Sequence, residues 1–323
     1  MSEPEQWSFP EELQPRPAEL GFDLGAALDS VVMLRSEIPE DAFTARILGT
    51  ERAGSGVVIG DGLVLTIGYL ITEATTLWLT TNKGQVIGGH ALAYDQPSGF
   101  GLVQALGRLE APALARGTAA SCGVGDGVIV AGHGGRAHAL QARVFAKREF
   151  AGYWEYLLEE ALFTSPPHPL WGGAAVIGAD GRLVGLGSLF VEEMAGERKV
   201  EGNMAVPIDL LEPILGELLK FGRADRPARP WLGLYATELE GRLVVAGLAQ
   251  GGPASRAGLR TGDTLAEVAG KPVEGLADLF RKVWRLGAAG VEVPLTVARN
   301  GKRMAVTVSS IDRGDLLSKP SLH

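Results

Sequence analysis

The sequence predicts an all-β-dominated chain of two domains, and three observations support this. At 323 residues, the chain exceeds the length over which a single hydrophobic core keeps growing. From Ala53 onward, short apolar β-type runs recur about every ten residues. The 45 glycines and 18 prolines indicate many tight turns between those runs. Alternating α/β units would need longer helical segments between strands, so a β-barrel or sandwich is expected.

The N-terminal residues 1–24 are predicted to form an extended arm. They contain four prolines and the aromatic residues Trp7, Phe9 and Phe22, which suits an arm better than a core element. Such an arm can pack on a neighbouring subunit. A short apolar stretch from Leu28 to Leu34 follows, and then the strand-like runs VVI, LVLTI, TLWLTT, QVIGGHALAY, FGLVQAL and GVIVAG.

The first helix is predicted late, from Pro207 to Phe221. Apolar residues recur there at helical spacing, Asp209 and Glu212 lie in the first turns, and Gly222 ends the pattern. This closes a first domain over residues 25–222. Residues 223–230 are basic, contain proline and lack an apolar face, so they are predicted to be a linker.

A second domain is predicted over residues 231–312, with a flexible tail at 313–323. It contains strands WLGLYAT and RLVVAGL, the turn GGPASRAGLRTGD, the strand TLAEVAG, a helix LADLFRKVWRL and a hairpin with an Asn300-Gly301 turn. This mixture of strands and one helix predicts an α+β domain.

The charge and the cysteine content restrict which partners and which cellular compartment are expected. The net charge is −8, with 17 bases and 29 acids in residues 1–228 and 13 bases and 9 acids after them, which argues against nucleic acid binding. Cys122 is the single cysteine, so no intrachain disulfide is possible. The N-terminus is acidic and broken by proline, and no apolar run reaches about 18 residues. We therefore expect a cytoplasmic protein without membrane association.

Four segments in order carry a family resemblance. They are GSGVVIGDGLVLTIGYLI, YDQPSGFGLVQAL, VGDGVIVAGHGG, and HPLWGGAAVIGADGRLVGL leading to GNMAVPIDLL. Together with the following WLGL and GGPASRAGLRTGD, they resemble the trypsin-fold proteases of the high-temperature-requirement (HtrA/Deg) family, which carry PDZ domains. The resemblance implies a trypsin-like double β-barrel followed by a PDZ domain.

The resemblance also locates three catalytic positions, and none keeps its catalytic side chain. The family's general-base histidine corresponds to Tyr69, whose phenol has an ordinary pKa near ~10 and is a poor base at neutral pH. The aspartate that orients this histidine corresponds to Gly99, while Asp95 matches an earlier aspartate of the same segment. The nucleophilic serine corresponds to Gly172.

The turn that would bind an oxyanion is altered as well. A family glycine two residues before the serine position is Leu170, whose side chain restricts the backbone. Trp171 is expected to fill the vestigial cleft. The sequence therefore predicts a protein that is not an enzyme.

Other polar residues near these positions are expected to be structural. The family usually has asparagine where His168 stands, and His133 and His138 lack a metal-ligand spacing. Ser165 and Ser188 have no assignable base. No metal or cofactor is predicted.

The PDZ-like domain is expected to bind a peptide carboxyl terminus. The segment Trp231, Leu232, Gly233 and Leu234 matches the family's carboxylate-binding segment, whose backbone N–H groups would face the anion. Phe280 and Trp284 on the helix are predicted to line the pocket. The segment YATELEGRL is shorter than is usual in the family, so a closed groove, or one used for internal docking, is the alternative.

The functional hypothesis is an inactive HtrA-like pseudoprotease that acts as a homotrimeric scaffold or regulatory subunit binding a protein or peptide. Two alternatives remain open. One is a serine-type endopeptidase with relocated catalytic residues, and the other is metal or small-ligand binding in the vestigial cleft.

Overall fold

The structure is a computed structural model that describes residues 7–195 and 198–318, with no account of the side chains of residues 193–198. Its described residues form two compact units. The first holds the chain up to Arg148, Glu160–Ala224 and Ser318. The second holds Glu149–Glu159 and Asp225–Leu317.

A closed antiparallel barrel opens the first unit. Its strands are β1 (Val31–Glu37), β2 (Glu51–Val58), β3 (Leu63–Ile67), β4 (Thr76–Thr80), β5 (Val86–Tyr94) and β6 (Phe100–Ala105), in the order β1-β2-β3-β6-β5-β4. Alternate residues face the interior: Leu34 pairs with Leu79 across β1 and β4, and both are fully buried.

A second closed barrel follows in the order β10-β11-β12-β9-β8-β7. Its strands are β7 (Gly127–Ala131), β8 (Ala139–Gly152), β9 (Tyr156–Ser165), β10 (Ala175–Ile177), β11 (Leu183–Ala195) and β12 (Arg198–Pro207). The predicted double barrel is confirmed. The hairpin Glu149–Glu159, which joins β8 to β9, belongs to the second unit.

The helices of the first unit differ from the prediction. Helix α1 (Leu24–Asp29) comes early and is capped by Asp23, whose Oδ1 accepts the Ala26 N–H at 3.0 Å. Helix α2 (Ala45–Leu48) is a single turn, and the late helix α3 runs over Glu212–Phe221 because Pro213, which lacks an N–H, fits only its first turn. Among the described residues, no helix has the length and apolar character needed to cross a bilayer.

The second unit is a six-stranded antiparallel sheet with two helices. The strands are β13 (Leu234–Leu239), β14 (Arg242–Leu248), β15 (Thr264–Val268), β16 (Lys271–Pro272), β17 (Glu292–Arg299) and β18 (Lys302–Ser309), and the helices are α4 (Pro253–Arg256) and α5 (Leu276–Trp284). The order is β13-β14-β15-β17-β18, with β16 on β15, so β13 is an edge strand. Asn300 and Gly301 have φ of 50° and 75°, as the tight hairpin between β17 and β18 requires.

Candidate functional site

Tyr69 lies directly after β3, on a 3-10 turn over Gly68–Leu70. Its hydroxyl donates to the Ser188 carbonyl at 2.9 Å and accepts a hydrogen bond from the Trp171 side chain. Burial raises the pKa of the Tyr69 phenol well above its ordinary value. The phenol is therefore protonated at neutral pH and cannot act there as a general base.

Gly172 lies in the turn Trp171–Ala174. The Tyr69 hydroxyl lies close to the position that a side chain at residue 172 would occupy. A Cβ placed on Gly172 would lie 2.9 Å from Tyr69 Oη, and the next nearest atoms are 3.8 Å away. The Gly172 carbonyl accepts the Ser55 N–H at 2.8 Å, which fixes the turn against β2. A side chain at residue 172 would thus collide with the tyrosine that stands in the histidine position.

Gly99 closes the loop between β5 and β6. Its N–H donates to the Asp95 carbonyl at 2.8 Å, and its carbonyl accepts the Gly68 N–H at 2.8 Å, so it anchors the turn that carries Tyr69. Its φ of 81° lies in the left-handed region that favours glycine. The carboxylate of Asp95 is buried and accepts both the N–H and the hydroxyl of Ser98, at 2.9 and 2.6 Å.

The turn before Gly172 is tied to His168. The Leu170 N–H donates to His168 Nδ1 at 3.0 Å, so Nε2 carries the ring proton and donates to the His138 carbonyl at 3.0 Å. Burial lowers the pKa of His168 and holds the ring neutral. One N–H that would face an oxyanion in a trypsin-type site is therefore engaged inside the protein.

The N-terminal arm packs on its own domain. The Trp7 and Phe9 rings make edge contacts with His138 and His168, at centroid distances of 4.9 and 5.1 Å respectively, and the Phe9 N–H donates to the Ala137 carbonyl at 2.9 Å. The indole of Trp7 keeps 39% exposure. The arm thus covers the histidine side of the turn.

The remaining polar residues of this region have structural contacts. Ser165 Oγ donates to the Glu201 carbonyl at 2.8 Å, and Ser188 supplies the carbonyl that Tyr69 binds. Burial lowers the pKa of both His133 and His138. Within the described part of the chain, no three His, Cys, Asp or Glu side chains are placed to hold a metal ion.

In the second unit, the predicted carboxylate-binding segment forms a loop ahead of β13. Gly233 has a φ of 68°, and a Cβ there would lie 2.9 Å from the Trp231 ring, so the residue must be glycine. Carbonyls of the segment are used within the domain: Trp231 O accepts the Ile311 N–H, and Leu232 O accepts the Ala254 N–H at 2.8 Å. The Trp231 N–H donates to the Ile311 carbonyl at 3.0 Å, and the N–H groups of Leu232, Gly233 and Leu234 converge on one side, as in an anion-binding nest.

A carboxylate already occupies this loop. Glu155, in the turn of the hairpin Glu149–Glu159, accepts the Leu232 N–H at 3.0 and 3.1 Å and the Leu234 N–H at 3.0 Å, and the Gly233 N–H also bonds it. Glu155 is 6% exposed. Burial raises its pKa to about 7, although the hydrogen bonds from the loop, which stabilise the ionised form, lower it. Sequence reasoning did not single out Glu155. The available signal was a glutamate in a tight hairpin turn where glycine or asparagine is usual.

The two predicted pocket residues lie on α5. Phe280 is 3% exposed within the buried core of the domain, and its ring stacks on Trp284 at a centroid distance of 5.6 Å. The Arg229 guanidinium covers Trp284 at 4.0 Å from the ring centroid. Their role as pocket residues stays a prediction.

Residues 54–186 match the trypsin-like peptidase domain family, and residues 230–309 match the PDZ domain family. The chain consists of a trypsin-like peptidase domain followed by one PDZ domain. The sequence-based resemblance is thereby confirmed, and so is the fold class.

Named relatives and solved structures agree with this assignment. The "Probable periplasmic serine endoprotease DegP-like" of Pseudomonas putida (strain W619) is 26% identical over 273 residues, covering 79% of this chain and 55% of that protein. The "Periplasmic pH-dependent serine endoprotease DegQ" of Escherichia coli (strain K12) is 23% identical, with 80% and 59% covered. This chain thus spans little more than half the length of these curated relatives.

Two solved structures share the fold of this chain. "HtrA-type protease AlgW with decapeptide" has a TM-score of 0.53 at 18% identity, covering 93% of this chain and 100% of that chain. The serine endoprotease from Yersinia pestis has a TM-score of 0.52 at 21% identity, with 91% and 99% covered.

The comparisons contradict the prediction that the chain is not an enzyme. The relatives are named serine endoproteases and the structural neighbours are HtrA proteases, which points to a protease. The prediction rested on Tyr69, Gly99 and Gly172. These residues show which groups a trypsin-type triad lacks here, and they do not measure whether the chain cleaves peptides.

The prediction of a cytoplasmic location is contradicted too. The relatives named above are called periplasmic, which points to a periplasmic or secreted location. The prediction used the absence of a signal and of disulfides, and neither absence assigns a compartment.

Proposed function

We propose that this HtrA-type chain binds the carboxyl terminus of a peptide or protein through the loop Trp231–Leu234. In this proposal the trypsin-like domain forms the oligomer and the PDZ domain binds the peptide. The protein then acts as a scaffold or regulatory subunit. The supporting observation is the carboxylate of Glu155 held by the backbone N–H groups of Leu232, Gly233 and Leu234. A loop that binds one carboxylate in this way has the donors that a peptide terminus requires.

The surrounding elements suit an extended peptide. β13 follows the loop directly and is an edge strand, so a peptide anchored in the loop is in register to add alongside it. The structural neighbour AlgW was solved with a decapeptide, which supports peptide binding by this chain as well.

A second candidate is a serine-type peptidase whose chemistry is carried by residues other than Tyr69, Gly99 and Gly172. The names of the relatives favour it. A fluorophosphonate probe incubated with the full chain tests it, because covalent labelling at one serine would identify a relocated nucleophile. The absence of labelling, with no turnover of an unfolded protein substrate, would remove this candidate.

The peptide-binding proposal is tested with a C-terminal peptide library screened against the full chain by fluorescence polarisation. Each sequence is offered as the free acid and as the amide, which keeps every side chain and removes only the terminal charge. We expect binding of the free acids and loss of binding on amidation. Equal binding of the two forms, or no binding of either, would contradict carboxylate capture.

A further inference from the structure

The turn of the hairpin Glu149–Glu159 places a buried carboxylate where a peptide terminus would bind. Glu155 approaches residues 77 and 79 positions further along the chain, and its two oxygens accept N–H groups from both Leu232 and Leu234. An isolated buried carboxylate is strongly unfavourable, so these donors are needed to hold it. The loop therefore has an occupant from its own chain.

The backbone at Glu155 gives a second, independent observation. Its φ of 63° lies in the left-handed region, which costs a residue with a side chain roughly 1–2 kcal/mol and which glycine adopts freely. The hydrogen bonds that the loop donates to the carboxylate offset this cost at Glu155.

The rest of the hairpin attaches it to the same domain. Leu157 is 5% exposed within the core cluster that includes Leu234 and Phe280. Arg281 on α5 forms ion pairs with Glu149 and Glu159, one on each strand of the hairpin. The Glu155 contact is thus part of a docked hairpin with an apolar anchor.

The loop has room for one carboxylate. The N–H groups of Leu232, Gly233 and Leu234 all bond Glu155, and a second carboxylate beside it would bring two like charges together in a buried site. A peptide terminus can therefore enter only when Glu155 leaves. Its apparent affinity is reduced by the fraction of molecules in which the loop is open.

We propose that Glu155 is an internal ligand of the PDZ loop, and that the hairpin Glu149–Glu159 and a peptide carboxyl terminus compete for this one site. This inference rests on the proposed function for its peptide partner. The occupied loop is the closed state, and the peptide-bound loop with the hairpin released is the open state.

The first test compares the affinity of full-length variants for the free-acid peptide pool. Glu155→Gly removes the carboxylate and suits the positive φ, and Glu155→Gln keeps the shape but removes the charge. Glu240→Gly is the matched control, since Glu240 is also a glutamate at positive φ (51°) in a turn, with its side chain in an exposed pair with Arg242. We expect Glu155→Gly to bind about tenfold more tightly or better, Glu155→Gln, which keeps the shape and one carbonyl acceptor, to stay near the wild type, and Glu240→Gly to match the wild type. Equal affinity of wild type and Glu155→Gly would overturn the competition while leaving peptide binding in place.

The second test needs no peptide, so it separates this inference from the proposed function. Hydrogen exchange is followed at the Leu232 and Leu234 amides of the full chain. We expect protection in wild type and Glu240→Gly, and exchange about tenfold faster or more in Glu155→Gly, because the acceptor is gone. Equal protection in all three proteins would show that Glu155 does not hold the loop and would overturn the proposal. Faster exchange in Glu155→Gly, with no peptide bound by any variant, would keep Glu155 as the ligand and reject the competition.

Discussion

At Gly172, the absence of a side chain and the presence of Tyr69 are two parts of one packing solution. The Tyr69 hydroxyl lies only 2.9 Å from the position that a Cβ of residue 172 would take, and hydrogen bonds with Ser188 and Trp171 hold it there. A side chain at one position therefore excludes the present side chain at the other.

This mutual exclusion predicts non-additive stability. Gly172→Ala is expected to cost about 1–3 kcal/mol of unfolding free energy, because its Cβ meets Tyr69 Oη at 2.9 Å. In a Tyr69→Phe background the cost should fall below about 1 kcal/mol, since the next atoms lie 3.8 Å away. Urea denaturation of the two single variants and the double variant measures the coupling.

Gly216→Ala in α3 is the control for this cycle. A Cβ there meets no atom within 4 Å, so alanine should be neutral or stabilising by up to about 1 kcal/mol. Additive costs for Gly172→Ala and Tyr69→Phe would show that the turn moves aside and that the two residues are not packed as described.

The raised pKa of Glu155 makes peptide binding depend on pH. Its pKa is about 7 when docked and 4.5 ordinarily, so the docked state holds the proton more tightly and docking weakens as pH rises from 4.5 to 7. The neighbouring ionisable groups are Arg313, which lowers this pKa, together with Tyr235 and Tyr153. Wild-type affinity for a free-acid peptide should rise between pH 5 and 7, by at most about tenfold per pH unit. In Glu155→Gln the rise should be absent, and the same slope in both proteins would reject the assignment.

The sequence located some residues of the site but did not predict the contacts between them. The order of four segments located Tyr69, Gly99 and Gly172, because each lies at a fixed place in a recurring stretch of chain. The Tyr69 contact with residue 172 joins segments about a hundred positions apart, and no local pattern records it. Glu155 is similar, because its meaning comes from the loop that it meets 77 residues later.

At the scale of elements, the turn between α4 and β15 supports the carboxylate-binding loop. Asp263 is buried and forms two hydrogen bonds with Arg299, at 2.6 and 2.7 Å, while also accepting the Arg260 N–H at 2.8 Å. On the same segment, Ala254 donates to the Leu232 carbonyl. The ion pair thus fixes the turn that follows α4, the helix whose Ala254 bonds the loop.

Asp263→Asn is expected to destabilise the PDZ domain by about 2 kcal/mol, because the buried carboxylate that accepts the charge-assisted hydrogen bonds of Arg299 is lost. Arg299 lowers the pKa of Asp263, so the stabilisation is present above the ordinary value of 3.8 and is lost as pH falls below it. Chemical denaturation of the full chain, followed by hydrogen exchange of the second unit, measures both effects. Glu240→Gln, which breaks an exposed pair with Arg242, should change stability by less than about 0.5 kcal/mol, and equal effects would contradict the role of Asp263.

The strand elements were more predictable than the helices. Many barrel strands are short apolar runs such as LVLTI and GVIVA, and glycine turns separate them, so the strands are visible directly in the sequence. Helix α1 has only six residues after Asp23, too few to show a helical period. Its cap was the one available signal.

For the whole molecule, we expect a homotrimer formed through the trypsin-like domain with help from the N-terminal arm. The arm packs on its own domain through Trp7 and Phe9, and Trp7 keeps 39% exposure that a neighbouring subunit can cover. Light scattering at micromolar concentration should give three times the mass of the chain, and Trp7→Ala should shift the population towards smaller species. A monomeric mass with the arm intact would contradict this expectation.

The exchange between Glu155 and a peptide terminus is tested most directly by hydrogen exchange of the wild-type chain with and without a saturating free-acid peptide. The amides of the hairpin Glu149–Glu159 should exchange faster when peptide is bound, because the hairpin is released from the loop. The Leu232 and Leu234 amides should stay protected, because one carboxylate replaces the other. A hairpin that remains equally protected while the peptide is bound would contradict the account.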